Sequence, residues 1–177
     1  MRIISGKHKG RRITAPSKLP VRPTTDMAKE ALFNILNNQY HLSELKVLDL
    51  FSGTGNLAFE FGSRDAKDIT AVDANFDCVK FIKKTSEELE LPIMAVKSDV
   101  YKYLEKGAMK SDLIFADPPY DFTADQFGKI AKIIFDRDLL NEDGALIIEH
   151  SKHTDLSQFS HYSHQRKYGS SVFSFFE

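Results

Sequence analysis

The sequence predicts an α/β fold: a mostly parallel sheet with helices on both faces, preceded by a short basic arm. Three observations predict it. Short apolar runs alternate with stretches of helical period from residue 47 onward, the pattern of consecutive strand–helix–strand units. The first run leads into a glycine turn, Asp49-Leu50-Phe51-Ser52-Gly53-Thr54-Gly55, where such sheets hold ligands. The fourth, Leu113-Ile114-Phe115-Ala116, leads into Asp117-Pro118-Pro119-Tyr120, again at the carboxyl end of a buried strand.

Residues 1–24 form the arm. Its segment from Arg2 to Ile13 has two β-prone ends around Gly6 and Gly10, which reads as a hairpin or extended arm. Pro16, Pro20 and Pro23 keep the chain extended until Thr25 or Asp26, a helix N-cap. Residues 25–177 form the main domain. Ala28, Ala31, Leu32, Ile35 and Leu36 recur at helical spacing, giving a helix to about Asn38. Strands follow at 47–50, 69–72, 93–96, 113–116 and 145–148, with helices at about 55–63, 75–89, 100–106 and 123–135. Gln165–Phe176 carries Tyr168, Val172, Phe173, Phe175 and Phe176 without a helix and reads as one or two closing strands, including an antiparallel one. These phenylalanines read as core rather than as a stacking platform.

Composition sets limits. The chain has 177 residues, 42% hydrophobic and 28% charged, an ordinary balance for a soluble domain with a substantial core. No stretch is apolar for long enough to span a bilayer, and the basic start lacks the apolar run of a signal peptide. With Cys78 as the only cysteine, neither an internal disulfide nor a cysteine-rich zinc site is possible, and a cytoplasmic monomer without membrane contact is expected. His150 and His153, then His161 and His164, are spaced three apart but lack supporting ligands. They read as solvated loop residues, and no metal is expected. The net charge of −1 hides an asymmetry: Arg2, Lys7, Lys9, Arg11, Arg12, Lys18 and Arg22 lie in the first 25 residues with no acid, leaving 17 basic against 25 acidic residues elsewhere. A basic arm on an acidic body suits a polyanionic partner.

The glycine turn fits two cofactors. Gly53, Gly55 and Ala58 match the spacing of a dinucleotide fingerprint, and Asp73, 20 positions past Gly53, suits ribose hydroxyls in either case. Asp49 discriminates, because a carboxylate repels the pyrophosphate of a dinucleotide but favours the ammonium and sulfonium of S-adenosylmethionine. Asp99, after the third strand, suits the adenine amine. Acids after three successive strands therefore favour S-adenosylmethionine over NAD.

The Asp117-Pro118-Pro119-Tyr120 motif suits a planar ring bearing an NH2. Prolines supply carbonyls without N–H groups on a stiff backbone. Asp117 and the Pro118 carbonyl would accept from the amine and localise its lone pair toward the sulfonium methyl, while Tyr120 stacks on the base. The motif alone does not separate guanine N2 from adenine N6, on RNA or DNA. A non-catalytic RNA-binding factor using only the basic arm is a further alternative.

On these residues the chain resembles the RsmD family of 16S ribosomal RNA guanine-N2 methyltransferases. The likeness runs from Met1-Arg2-Ile3-Ile4-Ser5-Gly6 and Gly10-Arg11-Arg12 through Arg22-Pro23-Thr24-Thr25-Asp26 and Glu30-Ala31-Leu32-Phe33-Asn34-Ile35-Leu36. It continues in the glycine turn, Ser63-Arg64, the Asp-Pro-Pro-Tyr motif and Tyr168-Gly169. It implies a Rossmann-like class I methyltransferase with a seven-stranded sheet, acting on N2 of a guanine (of the guanine 966 type) in 16S rRNA within an assembled or assembling small subunit. It also implies that Asp49, Phe51, Ser52, Gly53, Gly55, Asp73 and Asp99 hold S-adenosylmethionine and that Arg22, Pro23 and Thr24 close over its methionine end. Arg2, Lys7, Lys9, Arg11 and Arg12 would then contact RNA phosphates. Met27 and Lys29 stand where the family usually has arginines, implying a weaker RNA or cofactor contact. Asp73 replaces a usual glutamate, and Asp65 a common glycine.

Overall fold

Every apolar run that predicts the sheet lies in it. In the computed structural model, which describes residues 1–21 and 24–177, the order is α1 (Asp26–Gln39), a 3-10 turn (Leu42–Glu44), β1 (Lys46–Leu50), α2 (Asn56–Ser63), β2 (Asp68–Asp73), α3 (Phe76–Glu88), β3 (Ile93–Lys97) and α4 (Val100–Lys106). β4 (Ser111–Ala116), α5 (Ala124–Asp136), β5 (Leu140–Ser151), β6 (Tyr162–Tyr168) and β7 (Ser171–Phe176) complete it. The strands form one seven-stranded sheet in the order β3-β2-β1-β4-β5-β7-β6. The first five pair in parallel, and β7 enters antiparallel between β5 and β6.

Alternation along each strand divides the core in two. Val47, Ile69, Leu113, Phe115, Ala145 and Ile147 face α1, α2, α3 and the arm. Leu48, Leu50, Ile114, Leu146 and Ile148 face α4 and α5, where Ile130 and Ile134 meet them. The helices start where capping chemistry places them. The Thr25 side chain accepts from the Ala28 N–H, Asn75 accepts from the Cys78 N–H, and Thr123 with Gln126 forms a reciprocal capping box.

β5 begins at Leu140, earlier than the predicted 145, because polar Asn141, Glu142 and Asp143 hide the strand from an apolar-run criterion. The register shifts between Ser111 and Leu113, and Asp143 takes φ 60°. Asp65, where the resemblance expects glycine, has φ 69°, a left-handed conformation that aspartate tolerates better than most residues.

The arm packs onto the domain. The Ile3 N–H donates to the Arg11 carbonyl at 2.9 Å and the Ile13 N–H to the Met1 carbonyl at 2.9 Å. Ile3 and Ile13 are buried in the same cluster as Phe33 and Phe59. Beneath the hairpin lies a buried ionic network. Lys29 Nζ donates to the Arg2 carbonyl at 2.5 Å and to Asn56 Oδ1 at 2.8 Å, and stands 3.3 Å from Glu60 Oε2. Glu60 accepts from the Ile4 and Ser5 N–H groups at 2.9 and 3.0 Å and from Arg64 Nε at 2.8 Å. Lys29 and Glu60 are wholly buried, so Lys29 cannot meet RNA and instead ties the arm to α1 and α2. That corrects the expectation drawn from its replacing an arginine. Burial lowers the Lys29 pKa, with Glu60 and Asp26 opposing the shift.

Candidate active site

The glycine turn is shaped from both sides. Phe51, Gly53 and Gly55 all have positive φ, of 56°, 54° and 80°. Asp73 holds the turn from β2, its Oδ2 accepting the Gly53 N–H at 2.8 Å and its Oδ1 the Asn75 N–H at 2.8 Å. A Cβ on Gly53 would come within 3.1 Å of Val21 Cγ1, so the turn and the end of the arm approach closely. At Gly55 an added Cβ would meet Ile82 and Phe59 at 3.0–3.1 Å, so close packing beneath the turn also requires a glycine there.

Asp49 is 2% exposed, and its Oδ2 has no hydrogen-bond partner among the described residues; the same holds for Ser52 Oγ. Burial, then the charge of Asp73, pushes the Asp49 carboxyl up to about 8 against a hydrogen bond from the Ala58 N–H. A buried, under-satisfied acid of this kind invites a cation or a donor. These residues therefore fit S-adenosylmethionine: positive charge for Asp49, and a cradle at Gly53 that a side chain would fill.

The Asp-Pro-Pro-Tyr motif leaves β4 beside this turn. The Phe122 N–H donates to the Pro119 carbonyl at 3.1 Å, closing the loop, and Phe122 packs edge-on against Phe51 at 5.5 Å. Pro118 is buried, whereas Pro119 is exposed and Tyr120 is 72% exposed. The Asp117 carboxyl is raised well above the usual carboxylate range, first by burial, then by the charges of Glu149 and Asp49.

A cavity of about 710 Å³ joins these parts. Its wall includes Thr24, Asp49, Phe51, Ser52, Gly53, Asp73 and Asp99, together with all four residues of the Asp-Pro-Pro-Tyr motif. Arg22 and Pro23 were assigned to this site and lie outside the described residues. Asp99 is exposed at the α4 N-cap, its Oδ1 accepting the Lys102 N–H at 3.0 Å.

Sequence reasoning missed Asn56 and Glu149. Asn56 donates to the Thr24 carbonyl at 3.1 Å, and Glu149 Oε2 accepts from the Thr24 hydroxyl at 2.7 Å. Glu149 follows the fifth predicted strand, so the criterion that found acids after strands one to three would have found it too. Two of the four histidines need correction. His150 is buried on β5 and bonds Ser174 Oγ at 2.7 Å, and His164 stacks on Phe175 from β6. His153 and His161 are exposed turn residues, as expected, although His161 also stacks on Phe135.

The five assigned basic side chains of the arm are all exposed. Arg2 pairs with Asp26 at 3.2 Å, and Lys7 donates to the Glu90 carbonyl at 3.3 Å. Arg11 and Arg12 instead line a groove against α3 with Lys18, Lys80 and Lys84, where Asp77 and Glu88 pair with Lys18 and Lys84.

A sheet of this order, with a glycine turn after its first strand and an Asp-Pro-Pro-Tyr motif after its fourth, has the class I methyltransferase fold. The family described as "Conserved hypothetical protein 95" matches residues 1–177, and the chain belongs to this family, the RsmD group. Among its relatives, YlbH of Bacillus subtilis, described provisionally as an rRNA methyltransferase, is 32% identical over 163 residues, 89% of this chain and 86% of YlbH. Ribosomal RNA small subunit methyltransferase D of Buchnera aphidicola is 34% identical over 70% of this chain but only 63% of its own length. A Thermus thermophilus 16S rRNA N2 methyltransferase (RsmC), solved with AdoMet and guanosine, shares the fold with a TM-score of 0.71 at 21% identity, covering 90% of this chain and 45% of that one.

Proposed function

We propose that this chain methylates the exocyclic N2 of a guanine in 16S rRNA of the small ribosomal subunit, at the position of guanine 966, using S-adenosylmethionine. The observation that carries the reading is one cavity shared by the glycine turn, the Asp-Pro-Pro-Tyr motif and Asp49, whose Oδ2 has no partner among the described residues. The names of the relatives support an rRNA substrate, and guanosine in the Thermus thermophilus enzyme supports a guanine. An rRNA substrate also implies a cytoplasmic enzyme.

S-adenosylmethionine supplies an electrophilic methyl group on a sulfonium. The chain's residues do the rest. Asp49 and the Gly53 turn receive the cationic end, and Asp73 receives the ribose. Asp117 and the Pro118 carbonyl accept the two amine hydrogens of the base, which directs the nitrogen lone pair toward the methyl group. Tyr120 stacks on the ring, a contact worth roughly 1–3 kcal/mol. On gaining the methyl group the amine nitrogen would have to shed a proton. Asp117, whose carboxyl is raised above the usual carboxylate range by burial and then by the charges of Glu149 and Asp49, is the group beside the amine placed to receive that proton. A base that starts within a helix must first be extruded.

Asp117→Ala tests the assignment. Methylation of undermethylated small-subunit RNA should disappear while RNA binding persists. Undiminished methylation by the folded variant would overturn the reading.

A further inference from the structure

Resting on the guanine reading above, we propose that Glu149 is a specificity-determining residue that accepts the N1–H of the target guanine beside the N2 amine held by Asp117.

Strand register puts the two carboxyls side by side. Ala116 pairs with Ile148 in the parallel β4–β5 ladder, so Asp117 and Glu149 are the next residues on adjacent strands. Leu113, Phe115, Ala145 and Ile147 face the α1 side of the sheet, and the period of two carries Asp117 and Glu149 onto that same side. Asp49, from the other neighbour of β4, lies level with Phe115 and joins them.

A second cavity, of about 170 Å³, lies against the Asp-Pro-Pro-Tyr motif. Its wall includes Asp117, Pro118, Tyr120 and Glu149. Asp117 and Tyr120 thus line both this space and the larger cavity. A ring gripped by the motif can present its amine to one space while its body occupies the other.

Base chemistry then selects. The N1–N2 edge of guanine presents only donors. The N1–N6 edge of adenine places an acceptor lone pair at N1, which a second carboxylate would repel. Glu149 is 7% exposed and held by the Thr24 hydroxyl, so it is pre-oriented. A carboxylate has about four lone-pair positions and can hold Thr24 and a base together.

The test uses the full chain with S-adenosylhomocysteine and three nucleosides, guanosine, 2-aminopurine riboside and adenosine, titrated by NMR. 2-Aminopurine riboside keeps the N2 amine but has a bare acceptor at N1. Wild type should bind guanosine about tenfold more tightly than 2-aminopurine riboside, the order of a good base-edge contact. Glu149→Gln should bring that ratio close to one, with S-adenosylhomocysteine affinity retained as the control for folding. Glu149→Ala, checked the same way, should also lose the preference. A folded Glu149→Gln that keeps the wild-type ratio overturns the proposal. So does equal weakening for all three nucleosides, which would make Glu149 a clamp on Thr24 alone. Failure of the underlying guanine reading looks different: wild type would favour adenosine, and methylated RNA would yield N6-methyladenosine.

Discussion

Replacing Lys29 with methionine should loosen the arm and destabilise the whole domain. Methionine keeps a long unbranched chain but removes the charge and the donors, which reach the Arg2 carbonyl, Asn56 Oδ1 and Glu60. Breaking a buried ion pair on one side costs about 3–5 kcal/mol when the remaining charge is left alone. Glu60 is not left alone, because Arg64 Nε and two backbone N–H groups still hold it. That compensation lowers the ionic part, whereas stranding Asn56 Oδ1 and the Arg2 carbonyl adds about 1 kcal/mol or more for each. A net loss of about 3 kcal/mol follows. With a urea slope of about 1–3 kcal/mol/M, the unfolding midpoint should fall by at least about 1 M. Glu60→Gln should be similarly harmful, and the double variant should lose less than the sum of the two because the residues share one network. A Lys29→Met midpoint within about 0.2 M of wild type, at unchanged slope, would refute the account of the network.

Asp49 makes a pH prediction. Its pKa rises from 3.8 to about 8 on folding, so the native state keeps a proton that the unfolded chain has lost. Its contribution to stability should fall as pH rises from about 4 to about 8 and stay level above that, and Asn at this position should remove the slope in urea midpoints. The affinity for S-adenosylmethionine should rise over the upper part of the same window as the carboxylate forms, and flatten in Asp49→Asn when followed by calorimetry. Arg11→Ala with Arg12→Ala should weaken RNA binding without altering the melting temperature, since both side chains are exposed. The log–log salt slope should shrink by about 1.4 for two lost phosphate contacts on single-stranded RNA.

The centre of the sheet was legible because β1, β2 and β4 are apolar on both faces, a pattern that parallel strands between helix layers require. The cap at Thr25 and the glycine turn at Gly53 depend on local chemistry over three or four residues, and the sequence exposes that directly. Lys29 was not legible. Periodicity places it between Ala28 and Glu30 on a helix, and only the arm folding back over it from residues 2–5 makes it buried. Glu149 stands just past Ile148, where the acid-after-strand criterion points, but its closeness to Asp117 is a matter of β4–β5 register that periodicity does not give. The polar start of β5 was lost for want of an apolar signal.

The central claim is that the Asp-Pro-Pro-Tyr motif serves guanine N2 in small-subunit rRNA. The most direct measurement offers undermethylated small subunits, free 16S rRNA and DNA to the protein with methyl-labelled S-adenosylmethionine, digests the products to nucleosides and maps the labelled position. The account predicts N2-methylguanosine from the ribosomal RNA and no label in DNA. Label in N6-methyladenosine would contradict it.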